Sequence, residues 1–147
     1  MDLQQFTKLF NPLPGNRYLQ VTTEPDATTD MLQKLMDEVE GELRLVHYED
    51  DALSKPFRAL PREYDMVIFK DILSKHLRFE QLLKIAYTTL ANAAHIIIME
   101  KKGEMDIEKT IDLLDRFEFR SPNYIDNIVE GYDLVMAKKL HMWGNGL

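Results

Sequence analysis

The sequence predicts an α/β fold with a mostly parallel sheet of about six strands and an antiparallel pair at its end. Apolar runs at 66–69 and 96–99 are typical of parallel strands that are covered on both faces. A helical stripe of apolar residues over about 77–91 separates them, which makes a strand-helix-strand unit. Two weaker strands near 117–124 and 132–138 have no long helix between them, and this spacing indicates antiparallel pairing.

Periodicity places the remaining elements in chain order. A helix is predicted over 29–40, where Thr28, Thr29 and Asp30 are N-cap candidates and Gly41 marks the end. The other predicted elements are a short helix within 2–10, strands at 17–22 and 43–48, at most a short helix within 50–63, and a helix at about 105–116.

Composition limits the classes of function. A chain of 147 residues with 45% hydrophobic residues suits a single domain, 1–147, around one packed core. The net charge of −7 disfavours nucleic-acid binding, because an acidic surface repels phosphates. With no cysteines and no shared ligand spacing among the four histidines, we expect no metal site. Neither a signal peptide nor a membrane span is recognisable, so we expect a cytoplasmic protein.

Several segments resemble the S-adenosylmethionine-dependent methyltransferases of class I, which are Rossmann-like. Residues 13–21 are similar to the stretch that leads into the family's first strand, and 64–68 resemble its fourth-strand signature. Residues 70–77 resemble the stretch that follows that signature, and Glu118-Phe119 with the strand at 132–139 completes the pattern. The resemblance covers roughly 9–141 and implies a three-layer fold that uses S-adenosylmethionine at the carboxyl edge of the sheet.

The chain departs from this family in the turn after the first strand. There the family has a glycine-rich turn, which lets the backbone approach the cofactor. The aligned residues here are Thr22, Thr23, Glu24 and Pro25, and positions 16 to 40 contain no glycine. Their side chains add bulk, Pro25 removes a backbone donor and Glu24 adds negative charge. We therefore expect S-adenosylmethionine to bind weakly in the usual pose.

The second departure is in length. About 15 residues join the second strand to the fourth-strand signature, where the family has a helix, a third strand and a loop. This predicts the loss of one edge strand, since loss of a central strand would leave a gap. A second alignment treats 18–51 as the family's second strand, helix and third strand, with Glu24 as the ribose-binding acid and Asp51 facing the adenine. It deletes the central strand instead, and it also lacks the glycine turn.

The resemblance also marks candidate cofactor-binding residues after the strands. A carboxylate that ends the second strand would accept hydrogen bonds from the ribose hydroxyls. Alternatively, the acidic residues there form only a solvated loop at the end of the strand. The candidates are Thr22, Thr23, Glu24, Glu49, Asp50, Asp51 and Lys70.

The candidate catalytic residues are His76 and Asp71, which follow the fourth-strand signature. An imidazole titrates near neutrality, so His76 could act as general base toward a methyl acceptor. The simpler interpretations are a surface or capping role for His76 and an ion pair between Asp71 and Lys75, four residues apart.

Two functions follow from these observations. We favour a minimal methyltransferase-fold protein with a degenerate cofactor site, which acts as a non-catalytic binding or interaction protein. The alternative is an active S-adenosylmethionine-dependent methyltransferase that acts on a small molecule. S-adenosylmethionine and no cofactor at all are equally expected. The expected partner is a small molecule or a protein, with neither nucleic acid nor membrane, and a homodimer would form through the C-terminal edge or the tail around Trp143.

Overall fold

The computed structural model describes residues 3–48, 60–74 and 79–140. In these ranges the chain forms a six-stranded mixed sheet with helices on both faces. The strands are β1 (Arg17–Thr22), β2 (Glu42–His47), β3 (Tyr64–Lys70), β4 (Leu90–Lys101), β5 (Phe119–Ile125) and β6 (Tyr132–Lys139). The helices are α1 (Gln4–Thr7), α2 (Ala27–Glu38), α3 (Phe79–Thr89) and α4 (Ile107–Arg116).

The strand order in the sheet is β2-β1-β3-β4-β6-β5. Strands β2, β1, β3 and β4 are parallel, whereas β6 is antiparallel to both β4 and β5. The predicted α/β fold with an antiparallel end is therefore confirmed. Strand β2 forms one edge, and the described residues contain no strand beyond it, which agrees with the predicted loss of an edge strand.

Each face of the sheet carries its own apolar core, because successive strand residues point to opposite faces. In β3, Val67 and Phe69 pack in the core that includes α3 and α4, while Met66 and Ile68 pack in the core that includes α1 and α2. All four are buried, and burial of side chains of this size contributes about 1.5–3 kcal/mol each. The apolar run at 66–69 is continuous for this reason.

The start of α2 differs from its prediction. The N-cap is Asp26, whose Oδ1 accepts the Thr28 N–H at 2.9 Å, while the Thr29 hydroxyl accepts the Asp26 N–H at 3.2 Å. The N-cap candidates Thr28, Thr29 and Asp30 were wrong, because the helix already begins at Ala27 and all three lie within it. Both threonine hydroxyls also bind the buried amide of Gln20 on β1. The Thr29 hydroxyl donates to Gln20 Oε1 at 2.6 Å, and Gln20 Nε2 donates to Thr28 Oγ1 at 3.2 Å.

Gly41 lies just past α2, as predicted, and its N–H donates to the Met36 carbonyl at 2.7 Å. A Cβ at this position would lie 2.3 Å from the backbone oxygen of Asn16, so the close approach of two chain segments requires glycine.

Strand β4 is longer than predicted, since it begins at Leu90 instead of near 96. The additional residues include a register shift against β3 and a positive φ of 73° at Ala93, so they do not show regular strand periodicity. Of the predicted short helix within 50–63, only 60–63 are described, and they contain a turn. Among the described residues, no helix is long and apolar enough to cross a membrane.

Candidate functional site

The chain changes direction in the sheet between β1 and β3. From β1 it runs outward through α2 to β2, and it then returns to pair β3 with the other edge of β1. Open α/β sheets bind ligands at such a switch point, in the crevice beyond the carboxyl ends of the strands. We call this region, formed by the ends of β1 and β3 and the start of α2, the central crevice.

The turn after β1 forms one side of the central crevice. The buried Thr22 hydroxyl donates to the Glu24 carbonyl at 3.1 Å and accepts the Glu24 N–H at 3.3 Å, so it is occupied within the turn. Thr23 is half-buried, whereas Glu24 and Pro25 are exposed. The side chain that spans the crevice comes from the neighbouring strand β3.

That side chain is Lys70, the last residue of β3. It is only 4% exposed, and its Nζ lies 2.9 Å from Asp26 Oδ2 and 3.0 Å from Asp71 Oδ2. Thr22 and Lys70 are register partners on neighbouring strands, and Asp26 is the N-cap of α2. The ion pair between Lys70 and Asp26 therefore bridges the central crevice from β3 to the first turn of α2.

Asp71 and Tyr132 complete this cluster. The Tyr132 hydroxyl donates to Asp71 Oδ2 at 3.2 Å, and the Tyr132 ring centroid lies 4.8 Å from the Lys70 ammonium. Asp71 is buried and has a φ of 62°, in the left-handed region that non-glycine residues seldom adopt. Its N–H donates to the Met99 carbonyl at 3.0 Å, which helps to hold this conformation.

The cluster keeps its charges near neutral pH. Burial alone would lower the pKa of Lys70, but hydrogen bonds with Tyr132, Asp26 and Asp71 outweigh it and raise that pKa above its ordinary value. Burial likewise opposes ionisation of Asp26, yet hydrogen bonds from Thr28 and Lys70 hold its pKa below the ordinary value. The ammonium and the Asp26 carboxylate are therefore both ionised.

Glu100 supports the same edge from the end of β4. It is fully buried, and its two oxygens accept the Leu73 N–H at 3.1 Å and the Ser74 N–H at 3.3 Å. Burial, together with the nearby Asp71 charge, raises the pKa of Glu100. Glu100 thus holds the segment that follows Asp71 against the sheet.

The structure brings together some of the predicted site residues. Thr22, Lys70 and Asp71 lie at the central crevice, with Thr23 and Glu24 in the adjoining turn. Glu49, Asp50, Asp51, His76, Lys75 and Trp143 lie outside the described residues. Within the described ranges, no group of three or more His, Asp or Glu side chains could hold a metal ion.

The sequence reasoning missed Asp26, Glu100 and Tyr132. Glu100 directly follows the buried run at 96–99, and this position alone could have placed it at the carboxyl edge. Tyr132 starts β6, and an antiparallel strand starts where its parallel neighbours end. That placement could have been inferred only from the predicted pairing.

Comparison by sequence identifies no relative: no family model matches the chain, and a search of curated proteins found no significant match. Solved structures do match. An S-adenosylmethionine-dependent methyltransferase from Aquifex aeolicus has a TM-score of 0.73 and 13% identity over 95% of this chain and 90% of its own. The chain has a class I methyltransferase-like fold.

Two further structures support the methyltransferase-like fold. A methyltransferase from Mesorhizobium loti gives a TM-score of 0.63 at 10% identity, with 90% of this chain and 94% of its own covered. A methyltransferase from Archaeoglobus fulgidus gives a TM-score of 0.62 at 13% identity, with 85% of this chain and 86% of its own covered. At such identities the likeness establishes the fold alone, and it confirms the predicted resemblance at that level.

Proposed function

We propose that this chain is a minimal methyltransferase-fold protein with a degenerate cofactor site, acting as a non-catalytic binding or interaction protein. The observation that supports this most is the ion pair between the buried Lys70 and the partly exposed Asp26, which bridges the central crevice at 2.9 Å. A ligand that occupied the space between the end of β3 and the first turn of α2 would have to separate this pair.

Separating this pair would weaken the binding of such a ligand. Breaking a fully buried pair costs about 3–5 kcal/mol, but the Asp26 side chain is 31% exposed and Lys70 keeps Asp71, so we expect a cost of about 2 kcal/mol here. Each 1.4 kcal/mol is tenfold in affinity, so a ligand with a Kd of about 1 μM would weaken to tens of micromolar. The turn from Thr22 to Asp26 acts in the same direction, because Pro25 offers no N–H and Glu24 carries negative charge.

The proposed partner is a small molecule or a protein. Grooves of about 580 Å³, near Arg17 and Tyr64, and about 290 Å³, near Tyr18 and His95, lie at the amino edge of the sheet, opposite the central crevice. These grooves offer binding surface that does not depend on the cofactor site.

A homodimer through the C-terminal edge or the Trp143 tail is part of the proposal. The outer strand β5 contains Pro122, which has no N–H, and a register shift between Arg120 and Asn123. A dimer at this edge would therefore rely on side-chain contacts instead of continuous strand pairing. Light scattering coupled to size-exclusion chromatography measures the mass in solution, and a monomer at high concentration would contradict the dimer.

Isothermal titration of the full chain with S-adenosylmethionine and with S-adenosylhomocysteine tests the degenerate site. We expect a Kd of tens of micromolar or weaker for either compound, given the loss of affinity worked out above. Micromolar binding would contradict the proposal and favour the alternative function, an active S-adenosylmethionine-dependent methyltransferase acting on a small molecule.

A further inference from the structure

Strand β2 forms the parallel edge of the sheet, and within the described ranges it pairs with β1 alone. The Glu42 N–H donates at 2.9 Å to the carbonyl of Asn16, which directly precedes β1. Backbone groups alternate in direction along a strand, so those of Leu43 and Leu45 point away from β1. An edge of this kind is a template for pairing with a further strand.

The features that usually block an edge strand are missing from β2. Its six residues pair in register with six residues of β1, without a bulge, and Glu42–His47 contains neither proline nor glycine. The opposite edge strand, β5, has Pro122 and a register shift. Proline, bulges and inward-pointing charges are the common means of protecting an edge. Of the two edges, β2 is therefore the one to which regular strand pairing can be added.

Solvent reaches the chain beside the first half of β2. The groove of about 580 Å³ at the amino edge is lined in part by the four successive residues 41–44 and by Gln33 of α2. The Glu42 side chain is 71% exposed, and Leu45 is 40% exposed although it is a large apolar residue. A strand laid beside 41–45 would cover both the charged and the apolar side chains.

We propose that β2 pairs in antiparallel fashion with β2 of a second copy of this chain, with Leu43 opposite Leu43 on the two-fold axis. Directly opposed residues of an antiparallel pair lie on the same face of the sheet. Glu42 of each copy then lies opposite Arg44 of the other, so the segment 42–44 is its own complement in charge. Pairing centred on Leu45 would instead place Arg44 opposite Val46 and lose both charge pairs.

The opposed charges can meet while they keep their present contacts. Oε2 of Glu42 accepts the Arg17 Nε–H at 3.1 Å, and a carboxylate has room for several donors. Arg44 donates one N–H to the Tyr64 hydroxyl at 3.1 Å, and a guanidinium has five N–H groups. The net charge of −7 opposes association only weakly, because the Debye length in about 0.15 M salt is about 8 Å. This contact surface goes beyond the proposed function, since it does not involve the central crevice.

Charge reversal can break this complement and restore it. Glu42→Arg places like charges opposite each other at both pairs, and Arg44→Glu does the same with the other sign. The double variant restores opposite charges within a homodimer, and an equimolar mixture of the two single variants restores them within a heterodimer. Arg120→Glu is the matched control, because Arg120 is an exposed arginine on the other edge strand, β5.

The experiment is sedimentation equilibrium of the full chain in about 0.15 M salt over about 10 μM to 1 mM, a range in which weak dimers dissociate. We expect the native chain to dimerise in this range. Each single reversal should raise the Kd of the dimer about tenfold or more, because two cross-strand pairs change from attraction to repulsion. The double variant, the equimolar mixture and Arg120→Glu should dimerise as the native chain does.

A native chain that stays monomeric throughout this range overturns the proposal, as does a native dimer that both single variants retain or that the mixture fails to restore. Circular dichroism checks that each variant is folded. If Arg44→Glu is unfolded, Glu42→Arg is compared with Glu42→Gln, and equal Kd values for these two overturn the proposal. A dimer that Arg120→Glu alone weakens overturns it as well, and places the contact at the C-terminal edge. The titration with S-adenosylmethionine tests the cofactor site separately.

Discussion

Replacing Asp26 separates two contributions that one carboxylate makes to stability. Asp26 caps α2 through the Thr28 N–H, and it pairs with the buried Lys70 across the central crevice. Asp26→Asn keeps a good N-cap and removes the charge, whereas Asp26→Ala removes both. Asp106 is the matched control, because it caps α4 through the Lys109 N–H at 3.1 Å and forms no ion pair among the described residues.

The expected magnitudes follow from these contacts. Loss of an N-cap costs about 1 kcal/mol, which is the whole effect expected for Asp106→Ala. Breaking a buried ion pair costs about 3–5 kcal/mol, but the Asp26 side chain is 31% exposed and Lys70 keeps Asp71. We therefore expect about 2 kcal/mol for Asp26→Asn and about 3 kcal/mol for Asp26→Ala.

Urea unfolding at pH 7, followed by circular dichroism, measures these differences as shifts of the midpoint at constant m-value. The reasoning is refuted if Asp26→Asn unfolds at the native midpoint, or if Asp26→Ala loses no more than Asp106→Ala. Either result would mean that the Lys70–Asp26 pair contributes nothing net, and the central crevice would then open readily.

The remaining predictions concern pH, packing and the contact between Tyr132 and Asp71. The lowered pKa of Asp26 means that its stabilisation is present above the ordinary aspartate pKa and is lost as pH falls below it, so urea midpoints of the native chain should fall with acid more than those of Asp26→Asn. The raised pKa of Glu100 acts in the opposite sense, because the native state holds that proton more tightly and so loses stability as pH rises through the raised pKa. In urea unfolding, Glu100→Gln should not show this loss. Gly41→Ala should cost about 1–3 kcal/mol in urea unfolding, and a native midpoint would show that the facing backbone moves freely. Tyr132→Phe keeps the ring but loses the hydrogen bond to Asp71, so we expect a loss of about 1 kcal/mol; a larger loss for Tyr132→Leu would separate the ring from the hydroxyl.

Local sequence patterns predicted the sheet well where apolar residues continue through a whole strand. The runs at 66–69 and 96–99 are buried on both faces, and the weak pair near the C-terminus is antiparallel. Boundaries were less accurate, as in β4, whose first residues carry a register shift and the positive φ of Ala93. A local irregularity of this kind interrupts the periodicity on which such predictions depend.

The site was predictable only in part, because its contacts join residues far apart in the chain. The sequence pointed to Lys70 and Asp71 but not to their partners. Asp26, Thr28 and Thr29 are all suitable caps by type, but the helix begins at Ala27, so both threonines lie in its first turn, where their hydroxyls bind Gln20 on β1. Tyr132 meets Asp71 across 61 positions, a contact that only the strand order creates.

The buried amide of Gln20 has a consequence for redesign. Apolar contacts alone would let α2 rotate or slide on the sheet. The two hydrogen bonds from Gln20 on β1 to the first turn of α2 select one orientation of the helix. That orientation places Asp26, at the start of α2, next to Lys70. Replacing residues 23–25 with glycines would therefore leave the ion pair across the crevice intact, and opening the crevice would require changes at Gln20 or Lys70.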